Sequence, residues 1–197
     1  AGTDEYDSSF AAGLVQHRVV LELGVRGGTV PNQSRTIGSA AGEFAPSAGV
    51  LTPHEYEELE AITVAVLSRE RTLVEKLSIL HHAASTHESG LKSGVTRHWY
   101  DAYSPLGDDS ALGAIGQPGF VATLAADVEY HSDQNKWGYT PRPAEWFGAS
   151  RAFQHGHPSR GEIERAYHAT VPDLVYESPA PDLERCVERV LLHKQHL

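Results

Sequence analysis

Three residues of this 197-residue chain stand out for the chemistry their types and surroundings allow. Glu22 lies between Leu21 and Leu23 in a run of β-branched and apolar residues. Alternate side chains of a strand point to opposite faces, so Glu22 faces away from both leucines. It fits either a charge on the solvated face of a half-covered sheet or a carboxylate held rigidly for a hard divalent cation. Lys76 follows Glu75 and stands beside Leu73, Leu77 and Leu80. Its ammonium either snorkels to solvent from the edge of the core or meets a polyphosphate as a compact point charge. Asp101 belongs to Arg97-His98-Trp99-Tyr100-Asp101-Ala102-Tyr103. On a helix it falls one turn after Arg97 and His98, and an Arg97–Asp101 ion pair is its structural reading. Trp99, Tyr100 and Tyr103 would bury such a helix, an odd setting for a carboxylate without a partner, and this favours a functional reading.

Twelve histidines raise a metal hypothesis. The tightest groups are His81 with His82, His155 with His157, and His193 with His196. None has the spacing of a structural zinc site and no His-Glu-x-x-His occurs, so these pairs are expected exposed on helices or loops. A small metal-dependent hydrolase built on them stays as an alternative reading. There is no Gly-x-Ser-x-Gly elbow and no P-loop, and Gly24 to Gly28 lack the dinucleotide-binding spacing.

The elements that must position these residues are legible to different degrees. Ala1 to Gly13 is a polar lead-in, and Arg18 to Val25 reads as a strand ended by glycines. Thr29 to Thr52, rich in Gly, Ser, Ala and Pro, reads as loop with one short helix around Ile37 to Phe44. Ala61 to Leu67 is a second strand. It leads into Ser68, a good N-cap, with Arg71 where a capping box carries Glu or Gln. A helix follows from about Glu70 to Ala84, with Leu73, Leu77, Leu80 and Ala84 as its buried stripe. Thr86 to Gly94 is a polar loop. Further helices are expected over Arg97–Tyr103 (stopped by Pro105), Pro118–Asp133, Ala144–Phe153, Arg160–Ala169 and Pro181–Gln195. Strands early and helices late make α+β the fold class.

Composition narrows the function classes. Sixteen Lys and Arg against 26 Asp and Glu give a formal charge of −10, which argues against a broad basic surface for nucleic acid. Arg18, Arg26, Arg35, Arg69, Arg71, Lys76, Lys92 and Arg97 all fall in the first half, either as a local groove for phosphates or as a scattered, solvated set. The single cysteine, Cys186, excludes an intramolecular disulfide and fits a reducing compartment. No apolar run approaches the roughly 20 residues of a membrane span. Asp4, Glu5 and Asp7 stand where a signal peptide is basic. A cytoplasmic protein with no membrane partner is the expectation.

Three segments together resemble the AbiEii/AbiGii nucleotidyltransferase toxins. They are Val19-Val-Leu-Glu-Leu-Gly-Val-Arg-Gly-Gly28, Leu67-Ser-Arg-Glu-Arg-Thr-Leu-Val-Glu-Lys-Leu-Ser-Ile-Leu-His81, and Arg97-His-Trp-Tyr-Asp101. The family pattern is an acidic strand ending in Gly and Arg, then an Arg-Thr-x-x-Glu-Lys-Leu…Leu-His helix, then an Arg-His-Tyr-Tyr-Asp helix. The resemblance implies residues 1–68 as the distal part of a nucleotidyltransferase-type mixed sheet and residues 69–197 as a helical domain. It implies nucleotide transfer from a nucleoside triphosphate (NTP) to an RNA acceptor, with the 3′ end of tRNA as the expected one, and a cognate antitoxin as partner. By the same resemblance Glu22 is a Mg²⁺ ligand, Lys76 and Asp101 are catalytic, and Lys76, Arg26 and Arg97 bind the nucleotide.

One departure from the pattern changes the expectation. The Gly-Gly-x-Ala-Leu and Ser-x-Asp-x-Asp segments that precede the acidic strand in the family are not found here; Gly38-Ser39 lies after Glu22 and is followed by Ala40 and Ala41. Either the chain starts downstream of those motifs or it is a degenerate member. Two-metal phosphoryl transfer needs carboxylates for both ions, so little or no transfer is expected from these 197 residues alone. The second reading is an inactive relative that binds an antitoxin or RNA.

Overall fold

A computed structural model of the chain describes residues 28–49, 56–86, 94–175 and 179–197. The expected strand Arg18–Val25, and with it Glu22 and Arg26, lies outside the described residues. So does most of the polar loop expected from Thr86 to Gly94.

Strand β1 spans Asn32–Ile37, helix α1 spans Ala40–Ser47, and strand β2 spans Ile62–Leu67. The two strands pair antiparallel from Asn32 opposite Leu67 to Ile37 opposite Ile62. This corrects the loop expected over Thr29–Thr52. Asn32-Gln-Ser-Arg-Thr-Ile37 carries little β signal of its own, and β2 supplies the partner that makes it a strand. The register puts Ile37, Arg35 and Gln33 on one face with Ile62, Val64 and Val66, and both isoleucines are exposed. The short helix expected near Ile37 begins at Ala40 instead, where the Ser39 hydroxyl accepts the Gly42 amide at 2.9 Å.

Helix α2 (Arg69–Thr86) is the centre of the molecule. The Ser68 hydroxyl accepts the Arg71 amide at 3.2 Å, so the expected cap forms. Leu73, Leu77, Leu80 and Ala84 are all buried. The stripe packs against α3 (Arg97–Tyr103) and α5 (Phe120–Gln134), and α3 packs in turn against α7 (Leu183–Leu192). Between them, α4 (Asp109–Ile115) was not expected. Its signal is local and short: Asp108 accepts the Ala111 amide at 2.9 Å, and Asp109 places a second acid in the first turn. Helix α6 spans Arg160–Thr170, close to expectation. The helix expected over Ala144–Phe153 is instead two separate 3₁₀ turns, Phe147–Ala149 and Arg151–Phe153. Ser150 ends one by donating its backbone amide to the Phe147 carbonyl at 2.8 Å, and its hydroxyl caps the other by accepting the Ala152 amide.

The core runs through Leu73, Leu77, Trp99, Phe147, Phe153, Tyr167, Val187 and Val190, so the helices bury the apolar surface and the small sheet lies to one side. The α+β class therefore holds, with helix predominating. No single helix among the described residues is long and apolar enough to cross a bilayer.

Candidate nucleotide-binding cleft

Lys76 lies on the shoulder of α2, one residue before Leu77 turns into the core. Helix α3 lies alongside and buries Trp99, Ala102 and Tyr103, which leaves Arg97, Tyr100 and Asp101 on its other side. The two helices bring Lys76 Nζ to 3.7 Å from Asp101 Oδ2. With Val171, Leu174 and Val175, the residues Lys76, Arg97, Tyr100 and Asp101 line a cleft of about 290 Å³. One wall is cationic and aromatic with a single carboxylate; the other is apolar. Thr96 and Thr170 extend it along a second, adjoining hollow that shares Arg97 and Leu174.

The Arg97–Asp101 ion pair expected from spacing does not form. Asp101 Oδ2 instead accepts a hydrogen bond from His98 Nδ1 at 2.9 Å, from a ring that is itself buried. Burial alone would raise the Asp101 carboxyl. The His98 hydrogen bond and the charges of Lys76, His98 and Arg97 outweigh it and hold the group below the ordinary carboxylate range. At neutral pH Asp101 is a carboxylate, with Lys76 as its countercharge. The side chains of Lys76 and Asp101 are 23% and 31% exposed, so the pair is partly desolvated yet open to a ligand.

Arg71, one of the cations that the sequence leaves open as either a phosphate groove or a scattered, solvated set, belongs to neither. It is wholly buried. Its Nε donates to Glu75 at 2.9 Å, and its Nη1 donates to the Val30 carbonyl at 3.0 Å and to Asp127. Burial would lower its pKa, but the carboxylates of Asp127 and Glu75 raise it, so the group is a fixed cation that closes on itself. Gly28 packs directly on this network. A Cβ there would sit 2.6 Å from Asp127 Oδ2 and 2.9 Å from Arg71 Nη2.

The histidines are only in part as expected, for His155 is exposed while its neighbours in the three groups are half-buried or buried. His81 and His82 are half-buried. His81 bonds the Ser150 hydroxyl at 2.9 Å and the Pro141 carbonyl at 3.1 Å; His82 bonds the Thr140 hydroxyl at 3.2 Å. His157 is buried and accepts the Ser159 amide, and His155 pairs with Glu184 at 2.9 Å. For His81, His82 and His157 these are packing roles. Among the described residues no three His, Cys, Asp or Glu side chains converge as a metal site.

A larger hollow of about 380 Å³ lies between β1 and the start of α2, lined by Asn32, Gln33, Arg35, Arg69 and Asp108 among others. The Arg69–Asp108 ion pair spans it, and it offers no apolar wall for a base. The Lys76–Asp101 cleft is the better candidate.

The chain matches the family described as nucleotidyl transferase AbiEii toxin, type IV TA (toxin–antitoxin) system, over residues 4–189. It belongs to that family. Membership makes this AbiEii chain a protein of the nucleotidyltransferase toxin class, which takes an NTP with a divalent metal and has an antitoxin for a partner. No curated protein and no solved structure matches it. Of the five residues marked out by sequence, the structure brings Lys76, Arg97 and Asp101 to one cleft, while Glu22 and Arg26 lie outside the described residues. Sequence reading passed over Tyr100 and His98 as site residues, although both lie within the Arg97–Asp101 segment it singled out.

Proposed function

We propose that this AbiEii-family chain works in the cytoplasm as a Mg²⁺-dependent nucleotidyltransferase toxin whose NTP sits in the Lys76–Asp101 cleft and whose acceptor is RNA, with the 3′ end of tRNA as the first candidate. The observation that carries the reading is the convergence of Lys76, Arg97, Tyr100 and Asp101 on one cleft from two helices. In the reaction the acceptor hydroxyl oxygen attacks the α-phosphorus, the bond from that phosphorus to the oxygen bridging the β-phosphate breaks, pyrophosphate leaves, and the hydroxyl proton passes to solvent. Lys76 offers a point charge to the phosphates and Arg97 a planar fork. The ring of Tyr100 and the Val171–Leu174 wall offer apolar surface to the base.

Asp101 is held ionised, so it is a weak proton acceptor at neutral pH and suits orientation better than general-base work. Its role here is to accept a hydrogen bond from the acceptor hydroxyl and aim it. Asp101 is the only carboxylate among the residues lining the cleft, too few to cage a divalent cation. The described residues therefore do not fit the ion by themselves, and no step is assigned to it.

Calorimetric titration with an NTP in Mg²⁺ tests the reading. Lys76→Ala removes a charged partner of the phosphates, so affinity should fall about ten- to a hundredfold. Equal affinities for the wild type and Lys76→Ala would remove the nucleotide from this cleft. A labelled-nucleotide assay on tRNA with and without its 3′ terminus, beside an unrelated RNA, then identifies the acceptor.

A further inference from the structure

His98 is a buried, ionisable side chain next to the proposed site, and nothing above gives it work in the reaction. On α3 it precedes Asp101 by three residues, so both project from one face of the helix. The contact is specific: His98 Nδ1 lies 2.9 Å from Asp101 Oδ2, the oxygen that Lys76 Nζ also approaches, at 3.7 Å. Both cationic or donor partners therefore gather on one oxygen. Asp101 Oδ1 has no hydrogen-bond partner among the described residues. A carboxylate that turns freely about its last torsion would present either oxygen to Lys76 and to the cleft. One tethered by a ring locked in the helix packing cannot.

From this geometry we propose that His98 is the positioning residue of the AbiEii site: its Nδ1–H clamps Oδ2 of Asp101 and so keeps Oδ1 free to receive the acceptor hydroxyl. The inference rests on the proposed function for its purpose, and on the hydrogen bond alone for its geometry. The proton belongs on Nδ1, because the ionised carboxylate can only accept. A rigid second partner of this kind fixes a functional carboxylate where packing alone leaves it free to rotate.

The experiment uses the full chain and four variants: His98→Leu, His98→Asn, Asp101→Asn and Lys76→Ala. Leucine keeps an apolar side chain in the buried position, while the asparagine amide nitrogen overlays Nδ1 and keeps the donor. Carbon-13 NMR titration of the Asp101 carboxyl reads the clamp directly. Lys76 and Arg97 remain in every His98 variant, and the charge of His98 is lost in both His98→Leu and His98→Asn, so the difference between these two variants isolates the hydrogen bond. The midpoint should rise in His98→Leu and return towards wild type in His98→Asn. NTP affinity should stay within about twofold of wild type in both, since Lys76 is untouched. In the transfer assay His98→Leu should lower kcat about tenfold at unchanged KM, with recovery in His98→Asn.

An Asp101 midpoint that does not move in His98→Leu overturns the proposal, whatever the activity. So does a kcat that falls equally in His98→Leu and His98→Asn, which marks a packing role. Failure of the proposed function looks different: Lys76→Ala binds NTP like wild type, or Asp101→Asn transfers like wild type. The titration then still decides whether His98 holds the carboxylate.

Discussion

Removing the Arg71 guanidinium tests whether the buried ion network, and not helix propensity, fastens the segment before β1 to the helical body. The side chain has no exposure and ties three parts of the chain: the Val30 carbonyl, Glu75 on α2 and Asp127 on α5. Hydrogen bonds between charged groups are worth roughly 1.5–3 kcal/mol each, and breaking a fully buried pair costs about 3–5 kcal/mol. Neither figure applies undiminished, because Glu75 and Asp127 are 24% and 35% exposed and Val30 faces solvent. Water can reclaim all three acceptors. Arg71→Met, which keeps the apolar stem, should therefore cost about 1–2 kcal/mol. Arg71→Ala also loses the buried stem and opens a cavity, so about 3–4 kcal/mol is expected. For a chain of this size a kcal/mol moves Tm by roughly 2–4 °C. Differential scanning calorimetry should find Arg71→Ala lower by about 6–16 °C and Arg71→Met by about 2–8 °C. An Arg71→Ala protein that melts within 2 °C of wild type, to roughly the resolution of such a comparison, would refute the reasoning. A Met variant that melts lower than the Ala variant would also do so, because the stem would then be a liability.

Two further outcomes follow from neighbouring features. Gly28→Ala should destabilise by about 1–3 kcal/mol, since its Cβ would sit 2.6 Å from Asp127 Oδ2 and 2.9 Å from Arg71 Nη2. In a double-mutant cycle with Arg71→Met, measured by urea unfolding, the double variant should cost less than the sum of the two single variants, and strict additivity would show that the crowding is not at Arg71. Burial holds the pKa of His81 below its ordinary 6.5, with nearby His82 adding to the effect and the Pro141 carbonyl opposing it. The folded state thus takes up its proton at lower pH than the unfolded chain does. The contribution of neutral His81 is complete above about pH 6.5 and is lost as pH falls through its folded pKa. His193, depressed chiefly by burial, works in the same direction. The urea midpoint should fall from pH 7.5 to pH 5.5, roughly the range over which a histidine titrates, and His81→Gln should flatten that slope; an unchanged slope would assign the dependence elsewhere.

How much of this was legible in the sequence differs from element to element. Helix α2 was readable because Leu73, Leu77 and Leu80 recur at helical spacing behind a good cap, and the packing agrees with both signals. Strand β1 was not, because Asn32-Gln-Ser-Arg-Thr-Ile37 becomes a strand only against β2, a contact no local pattern contains. The stretch Ala144–Phe153 misled because its apolar residues are buried by two single turns, and periodicity alone does not separate these from a helix. At the site, residue types named Lys76 and Asp101 and the family pattern gave them roles. Their approach to 3.7 Å belongs to the α2–α3 packing and to nothing in their spacing. Arg71 shows the converse. By type it belonged with cations facing either phosphates or solvent, yet Asp127, 56 positions later, draws it inward.

Helix α2 also constrains how the AbiEii chain can change its length. Its successive turns face different neighbours: Arg71 meets α5 and the segment before β1, Leu73, Leu77 and Leu80 the core, Lys76 the cleft, and His81 and His82 the segment from Thr140 to Ser150. Only Arg69, Ser85 and Thr86, at its two ends, are exposed. One residue gained or lost within the helix rotates everything beyond it by about 100°. A one-residue insertion between Arg71 and Lys76 would leave the guanidinium seated and swing the lysine towards the core, or keep the lysine and expel the guanidinium. Insertions are therefore confined to the helix ends, and the interval from Arg71 to Lys76 is fixed at five positions as firmly as either residue's identity.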